Sequence, residues 1–308
     1  MGEIKHAAKR LGALETERVN PRTRHLDRMT TAQILAAIHR EDATVARAVY
    51  RQRAAIARAV ECIVASLRAG GRLIYVGAGT SGRLGVLDAS EIPPTFNVSP
   101  RRVVGVIAGG KRALYSAAEG AEDDARQAER DLAKLRVGKR DTVVGIAASG
   151  RTPYTIAAVR YAARQGAATA GVACVRHSEL GRAAAIAIEA VTGPEAIAGS
   201  TRMKAGTAQK LILNMLSTAA MIRLGYVHGN LMVNMRATND KLRARAERIL
   251  ATVTGLGPEA AGRRLRAYGG DLRRAVEHWD RSDPPPAARH ARKSAVQAGS
   301  RPNTKPIS

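Results

Sequence analysis

Short apolar runs alternate with longer helical patterns along this chain, and that alternation constrains its fold more than any other feature. The runs lie at residues 72–76, 103–107, 141–147, 168–174 and 184–190. Strands that alternate with helices pair in parallel, because each connection crosses over the sheet and packs a helix against it. The sequence therefore predicts an α/β fold in which a parallel sheet lies between two layers of helices.

The core of such a fold has to be aliphatic, because hydrophobic residues make up 45% of the chain but aromatic residues only 3%. The two cysteines, Cys62 and Cys174, lie far apart without metal-ligand spacing, which argues against a disulfide scaffold or a zinc site. A reducing, cytoplasmic setting fits them best. The apolar stretch 211–227 is interrupted by Asn214 and Arg223, so it indicates a buried helix rather than a membrane span.

The net charge of +24 is the one anomaly of the composition. Strongly basic chains often bind nucleic acid or acidic membranes. Here the arginines are scattered over helical faces without the interleaved aromatic residues that stack on bases. We therefore expect neither a nucleic acid nor a membrane as a partner, and an anionic small molecule would tolerate the positive field.

Changes of pattern divide the chain into four regions. Apolar residues recur at helical spacing from Thr31 onward, which predicts an N-terminal helical arm at residues 1–50 before a sheet domain at 51–238. A small C-terminal helical subdomain is predicted at residues 239–282. Residues 283–308 are rich in Pro, Ala, Ser and charge without apolar periodicity, which predicts a disordered basic tail.

Two of the predicted strands end in the same kind of loop. Residues 77–82 read Gly-Ala-Gly-Thr-Ser-Gly, and residues 148–152 read Ala-Ser-Gly-Arg-Thr. Glycine lets the backbone approach an anion, and the helix that follows offers unpaired N–H groups. Neither loop has Rossmann or P-loop spacing. Two such loops favour a small phosphorylated ligand, although ordinary tight turns with N-caps are an alternative interpretation. The candidate phosphate ligands are Thr80, Ser81, Gly82, Ser149, Gly150 and Thr152.

The two loops resemble those of sugar isomerase (SIS) domains, which bind phosphosugars. Longer segments at residues 77–95, 145–154 and 199–218 resemble N-acetylmuramic acid 6-phosphate etherases more specifically. The resemblance covers roughly residues 13–280. Its shorter segments are Thr16–Asn20, Leu26-Asp27, Gly229–Val233 and Ala237–Asn239.

The resemblance implies a homodimeric lyase with a flavodoxin-like, three-layer SIS fold, with sites at or near the subunit interface and with no metal or cofactor. Such an enzyme converts N-acetylmuramic acid 6-phosphate and water to N-acetylglucosamine 6-phosphate and D-lactate in peptidoglycan recycling. The family's acid/base glutamate lies in an Asp-Ala-Ser-Glu-x-Pro-Pro motif, which makes it Glu91 here. A second family glutamate corresponds to Glu122, and SIS relatives use the segment with Glu195, Ser200 and Lys204 around the sugar.

The implied reaction removes a proton from C2 of the sugar and expels an alkoxide from C3. The C2 proton is acidic only beside a carbonyl group, so the sugar should react as the open-chain aldehyde. An acid has to protonate the ether oxygen, because lactate leaves poorly as an alkoxide. One or two carboxyl groups can perform both roles if burial raises a carboxyl pKa toward neutrality.

The spacing of the candidate residues raises a geometric question. Glu91 lies ten residues after Ser81, which is about 15 Å along a helix. Either the segment folds back, or Glu91 serves the site of the partner in a dimer, and we expect the second. Without the resemblance, Glu122 would be interpreted as part of a solvated acidic helix face.

Two other functions fit a SIS fold. A sugar-phosphate isomerase would share the loops but not the motif at residues 88–94. A non-catalytic regulator that binds a phosphosugar is the other alternative, and the absence of Glu91 or Glu122 would have favoured it. Both glutamates are present.

Overall fold

The computed structural model of the protein describes residues 15–235 and 240–279. Its centre is a sheet of five parallel strands in the order β2-β1-β3-β4-β5. The strands are β1 (Leu73–Gly77), β2 (Val103–Ile107), β3 (Thr142–Ile146), β4 (Ala168–Ala173) and β5 (Ile186–Glu189). The predicted α/β fold and its parallel sheet are confirmed.

Helices precede the sheet and connect its strands. The first three helices are α1 (Thr31–Asp42), α2 (Val45–Tyr50) and α3 (Arg53–Arg68). The others are α4 (Gly79–Phe96), α5 (Ala125–Lys134), α6 (Pro153–Arg164), α7 (Glu179–Ala183) and α8 (Lys204–Arg223). α1 begins with a capping box, in which the Thr30 hydroxyl accepts from the Gln33 N–H and the Gln33 side chain accepts from the Thr30 N–H.

Alternate side chains of β1 point into opposite helical layers. Ile74 and Val76 pack in one buried cluster with Leu132 of α5 and Ala158 of α6. Tyr75 faces the other layer, where its hydroxyl donates to Asp88 of α4 at 2.9 Å. All five strand residues of β1 are buried. The sheet is therefore covered on both faces, as a parallel sheet requires.

The helix α4 ends later than its sequence predicts. Pro93 and Pro94 predict a stop, but the helix continues to Phe96. Proline removes a backbone donor, yet its fixed φ is helical, so a last turn can continue through it. Asn97 then adopts φ 49°, a left-handed conformation that asparagine tolerates and that ends helices.

The described residues fall into two compact units. The first comprises residues up to 94 and 98–224, and the second comprises 95–97 and the residues from 225 onward. The second unit contains a short antiparallel pair, β6 (Val227–His228) and β7 (Leu231–Met232), and three helices. These are α9 (Asp240–Thr254), α10 (Pro258–Ala267) and α11 (Leu272–Glu277), which share one buried apolar cluster.

Several expectations about the ends of the chain stay predictions. The predicted domain bounds at residues 50, 238 and 282 are of this kind. The predicted disordered tail at 283–308 and the motif Ala237–Asn239 lie outside the described residues. Within residues 15–235 and 240–279, no helix combines the length and hydropathy that crossing a bilayer demands.

Candidate active site

The two candidate phosphate loops leave adjacent strands at the same edge of the sheet. Gly77 at the end of β1 is paired with Ile146 at the end of β3. The helices that follow these strands, α4 and α6, lie on opposite faces of the sheet. The strand order therefore reverses at this point, and the crevice at such a switch point is where open α/β sheets bind ligands.

The first loop forms the start of α4. Gly82 packs so closely that a Cβ there would lie 2.6 Å from the Gly77 carbonyl oxygen. Thr80 is half-buried, and its Cγ2 would lie 3.6 Å from a Cβ placed on Gly206 of α8. Ser81 is buried, and its hydroxyl donates to Oε1 of Gln209 at 2.9 Å. The loop is thus braced against the beginning of α8.

The second loop leads into α6. Thr152 is the N-cap residue of that helix, but its side chain makes no capping hydrogen bond. The Ser149 hydroxyl accepts from the Arg151 N–H at 3.4 Å. Both hydroxyl side chains are half-buried, so they can face a ligand together with the N–H groups at the start of α6.

Gly150 shapes this loop, and its replacement by alanine should destabilise the fold. Its φ is +64°, and a Cβ there would lie 2.4 Å from the Ser178 Cβ. We expect Gly150→Ala to lower the free energy of unfolding by about 1–3 kcal/mol in urea titrations. Gly138→Ala is the control, because a Cβ at Gly138 meets nothing within 4 Å. Equal stability of the two variants would contradict a steric requirement for glycine at residue 150.

A cavity beside the second loop is lined mainly by basic side chains. Its volume is about 310 Å³. Arg151 also pairs with Glu179 at 3.4 Å. Positive side chains near a helix N-terminus add to its partial positive charge, so this edge of the sheet favours an anion. The basic residues that line the cavity with Ser149 are Arg151, Arg176, His177 and Arg182.

Glu122 lies on the connection between β2 and α5, close to the first loop. It lines a cavity of about 170 Å³ together with Ala78 and Gly79. Arg83 of α4 also lines this cavity and holds the connection, since its guanidinium donates to the carbonyl oxygens of Leu114 at 3.2 Å and Ser116 at 3.3 Å. Glu119 lines the same cavity, so two exposed carboxylates rather than one lie beside the first loop.

Glu91 lies far from both loops of its own chain. It is exposed on α4, ten residues after Ser81 in an unbroken helix, so about 15 Å separates them along the axis. The segment does not fold back. Leu87 precedes Glu91 by one turn on the same face and is 51% exposed.

Glu195 and Lys204 are both bound to groups of the protein. The Glu195 carboxylate caps α8 by accepting from the backbone N–H groups of Lys204 and Ala205, each at 2.9 Å. Burial raises the pKa of Glu195 above its ordinary range. The Lys204 ammonium donates to Glu41 Oε2 at 2.6 Å, and both side chains are 2% exposed. Ser200 is half-buried in the loop before α8.

Glu41 is an important residue that the sequence analysis missed. It accepts from Lys204 and also from Arg22, whose Nε lies 2.6 Å from Oε1. Burial alone would raise the Glu41 pKa, but these two cations outweigh it and lower the pKa to about 2. No local pattern links residues 163 positions apart, so the ion pair has no signal in the sequence.

Asp88 was also missed, although it lies in the motif that contains Glu91. Its carboxylate accepts from the Tyr75 hydroxyl at 2.9 Å, from Asn214 Nδ2 at 2.8 Å and from the Ser217 hydroxyl at 3.2 Å. Burial raises the Asp88 pKa. These bonds join β1, α4 and α8, and they fix the helix turn that carries Glu91. The predicted carboxylate at residue 91 thus has a buried anchor three residues before it.

No set of three or more His, Cys, Asp or Glu residues in the described part of the chain is arranged to hold a metal ion. The buried carboxylates are instead held by arginine, lysine, amide and hydroxyl donors.

Comparisons with known proteins agree with this geometry. The model of the glucokinase regulatory protein N-terminal SIS domain matches residues 55–163, a range that includes both loops and both glutamates. The SIS domain model matches residues 123–219. These matches fit the order of strands in the sheet.

Full-length relatives are much more similar. The chain is 52% identical to N-acetylmuramic acid 6-phosphate etherase 1 of Bacillus licheniformis, over 86% of this chain and 88% of that protein. It is 54% identical to the N-acetylmuramic acid 6-phosphate etherase of Mycolicibacterium smegmatis, over 86% and 89% of the two chains. The protein of the same name from Streptomyces coelicolor is 53% identical, over 86% of each chain.

Proposed function

This chain belongs to the N-acetylmuramic acid 6-phosphate etherases, and from that premise we propose how its residues perform the family's reaction. It is a lyase that cleaves the D-lactyl ether of N-acetylmuramic acid 6-phosphate and yields N-acetylglucosamine 6-phosphate and D-lactate, in amino-sugar recycling. In our proposal Glu91 and Glu122 act as acid and base, and the two loops at the switch point hold the phosphate.

The observation that carries this proposal is the convergence of two helix N-termini on one crevice, with a carboxylate on its wall. The N–H groups at the start of α4 and α6 and the hydroxyls of Thr80, Ser149 and Thr152 are donors for phosphate oxygens. Glu122 is on the cavity next to the first of these helices. Glu195, Ser200 and Lys204 stay proposed contacts around the sugar, and Glu195 and Lys204 also stabilise α8 and its surroundings.

The proposed chemistry has two stages. In the first, a carboxylate takes the C2 proton of the open-chain aldehyde, the C3–O bond breaks, and a carboxylic acid gives its proton to the departing lactate oxygen. In the second, water adds to C3 of the unsaturated aldehyde and gives a proton to a carboxylate, and C2 receives a proton from a carboxylic acid. Proton balance is restored after both stages, so two carboxyl groups suffice.

We also propose that the enzyme is a homodimer in which Glu91 serves the partner's site. The cavity beside Glu122 has about 170 Å³, less than the roughly 300 Å³ at which small-molecule sites begin, so one chain encloses only part of the substrate. Leu87 is exposed on the same face of α4 as Glu91, and Met215 and Ile222 of the neighbouring α8 are 45% and 48% exposed. Apolar residues beside a distant catalytic carboxylate favour contact with a second copy of the chain.

A cytoplasmic location is part of the same proposal. The cysteines of the described residues, Cys62 and Cys174, are both free thiols, which is typical of reducing compartments. The phosphorylated substrate carries charge that keeps it on the side of the membrane where it is formed.

The roles of the two acidic residues beside the first loop can be separated by mutation. Wild-type enzyme should release D-lactate from N-acetylmuramic acid 6-phosphate, and Glu122→Gln should lower kcat about 10²- to 10⁴-fold because an amide neither accepts nor donates the required proton. Glu119→Gln is the matched control in the same cavity and should stay within a few-fold of wild type. A reversed pattern would assign the role to Glu119, and no D-lactate from wild type would contradict the function itself.

A further inference from the structure

The side-chain amide of Gln209, beside the first phosphate loop, has only one of its two ends paired. Gln209 lies in the second turn of α8 and is 1% exposed. Its Oε1 accepts from the Ser81 hydroxyl at 2.9 Å. Its Nε2 is buried and has no hydrogen-bond partner among the described residues. Buried amide donors are nearly always paired in folded proteins, so this group needs an explanation.

The direction of this bond conflicts with the proposed task of Ser81. A hydroxyl has a single hydrogen, and Ser81 gives it to Gln209. The lone pairs that remain on Ser81 would face phosphate oxygens that are themselves acceptors. In this arrangement Ser81 cannot donate to the phosphate.

Turning the amide over removes the conflict. The two ends of a glutamine amide have nearly the same size, so a half-turn brings Nε2 to the Ser81 oxygen and requires little space. Nε2 then has an acceptor, and the Ser81 hydrogen is released toward the crevice. The displaced carbonyl oxygen is the easier group to leave without a partner.

We propose that Gln209 is a positioning residue for the substrate phosphate. On binding, its amide turns over and donates to Ser81, and Ser81 donates to a phosphate oxygen. Gly206 and Gln209 lie three residues apart on one face of α8, and Gly206 adjoins Thr80 of the same loop. The inference rests on the proposed phosphate role of Ser81.

Gln209→Glu is the informative variant, because its donor capacity depends on pH. An ionised carboxylate can only accept, so it holds Ser81 in the wrong direction, whereas a protonated carboxyl can donate as the turned amide does. We expect the Kd for N-acetylglucosamine 6-phosphate to rise about 10- to 100-fold at pH 8. It should return toward the wild-type value near pH 5.5, since burial raises a glutamate pKa.

Gln209→Met is the control, since it fills similar volume without hydrogen bonding. Its Kd should change by less than about 10-fold, with the same pH profile as wild type. Wild type measured in parallel accounts for the titration of the phosphate itself. Weaker product binding should appear in KM rather than kcat, and binding of unphosphorylated N-acetylglucosamine should not change. A Gln209→Glu profile parallel to wild type, or an equal loss for the unphosphorylated sugar, would overturn the proposal.

Ser81→Ala separates this inference from the proposed function. If Ser81→Ala binds the product as tightly as wild type, the phosphate role of Ser81 fails. If Ser81→Ala weakens binding while Gln209→Glu shows no pH-dependent recovery, only the role of Gln209 fails. Should a Gln209 variant not fold, ¹⁵N-glutamine labelling of wild type gives a second test. Inorganic phosphate should shift the Gln209 side-chain signal, and an unchanged signal would refute the turnover of the amide.

Discussion

Replacing Glu91 by glutamine should lower the rate of D-lactate release about 10²- to 10⁴-fold and leave the fold unchanged. The amide keeps the shape of the side chain but can neither remove the C2 proton nor protonate the ether oxygen. Glu91 is exposed, so no buried contact is lost with its charge. Steady-state kcat with N-acetylmuramic acid 6-phosphate and far-ultraviolet circular dichroism provide the two measurements.

Glu61→Gln is a suitable control for this variant. Glu61 is a similarly exposed glutamate whose ion pair with Arg223, at 3.2 Å, lies on the surface and contributes at most about 1 kcal/mol. Its replacement should leave kcat unchanged. Turnover of Glu91→Gln at the wild-type rate would refute a catalytic role for Glu91.

Mixed dimers test whether Glu91 acts on its own chain or on the partner. Ser149→Asp should inactivate the phosphate loops of its own chain by charge repulsion. A mixed dimer of Glu91→Gln and Ser149→Asp subunits then contains one intact site if Glu91 acts across the interface. Random mixing of equal amounts should restore about a quarter of wild-type activity. If Glu91 acts within its own chain, the mixture stays inactive.

Replacing Glu41 by alanine should produce the largest loss of stability, about 3–5 kcal/mol. The change leaves the Lys204 ammonium buried without its carboxylate, which lies 2.6 Å away in the folded protein. Urea denaturation measures the loss. The control is Arg22→Ala, which removes the second partner of Glu41 but from a side chain that is 67% exposed, and it should cost about 1 kcal/mol.

Removing both buried charges should cost less than removing one. In Glu41→Leu with Lys204→Met no buried charge lacks a partner, so the double variant should be more stable than Glu41→Ala. A double variant that is as unstable as Glu41→Ala would show that packing rather than charge decides the loss.

The same carboxylate predicts how stability changes with pH. The pKa of Glu41 is lowered from its ordinary 4.5 to about 2 in the folded protein. A lowered pKa stabilises the fold fully above about pH 4.5, and this contribution disappears as the pH falls toward 2. The difference in stability between wild type and Glu41→Gln should therefore narrow across that interval. A constant difference would contradict the lowered pKa.

Local pattern predicted much of this molecule and failed at identifiable points. The five strands and the two loops follow from apolar runs and glycine positions, which act over a few residues. The Lys204–Glu41 pair joins residues 163 positions apart, so only the tertiary fold reveals it. The prolines at 93 and 94 indicated a helix end, but backbone geometry tolerated them for one more turn. Asp88 was hidden because its three donors come from β1 and α8.

The unbroken helix α4 has a genetic consequence if Glu91 serves the partner. The phosphate loop at its first turn belongs to one site and the carboxylate near its end to the other. An allele damaged at either end alone leaves one working site in a dimer with a wild-type subunit. An allele damaged at both ends disables both sites of every such dimer, so it should be dominant over the wild-type copy.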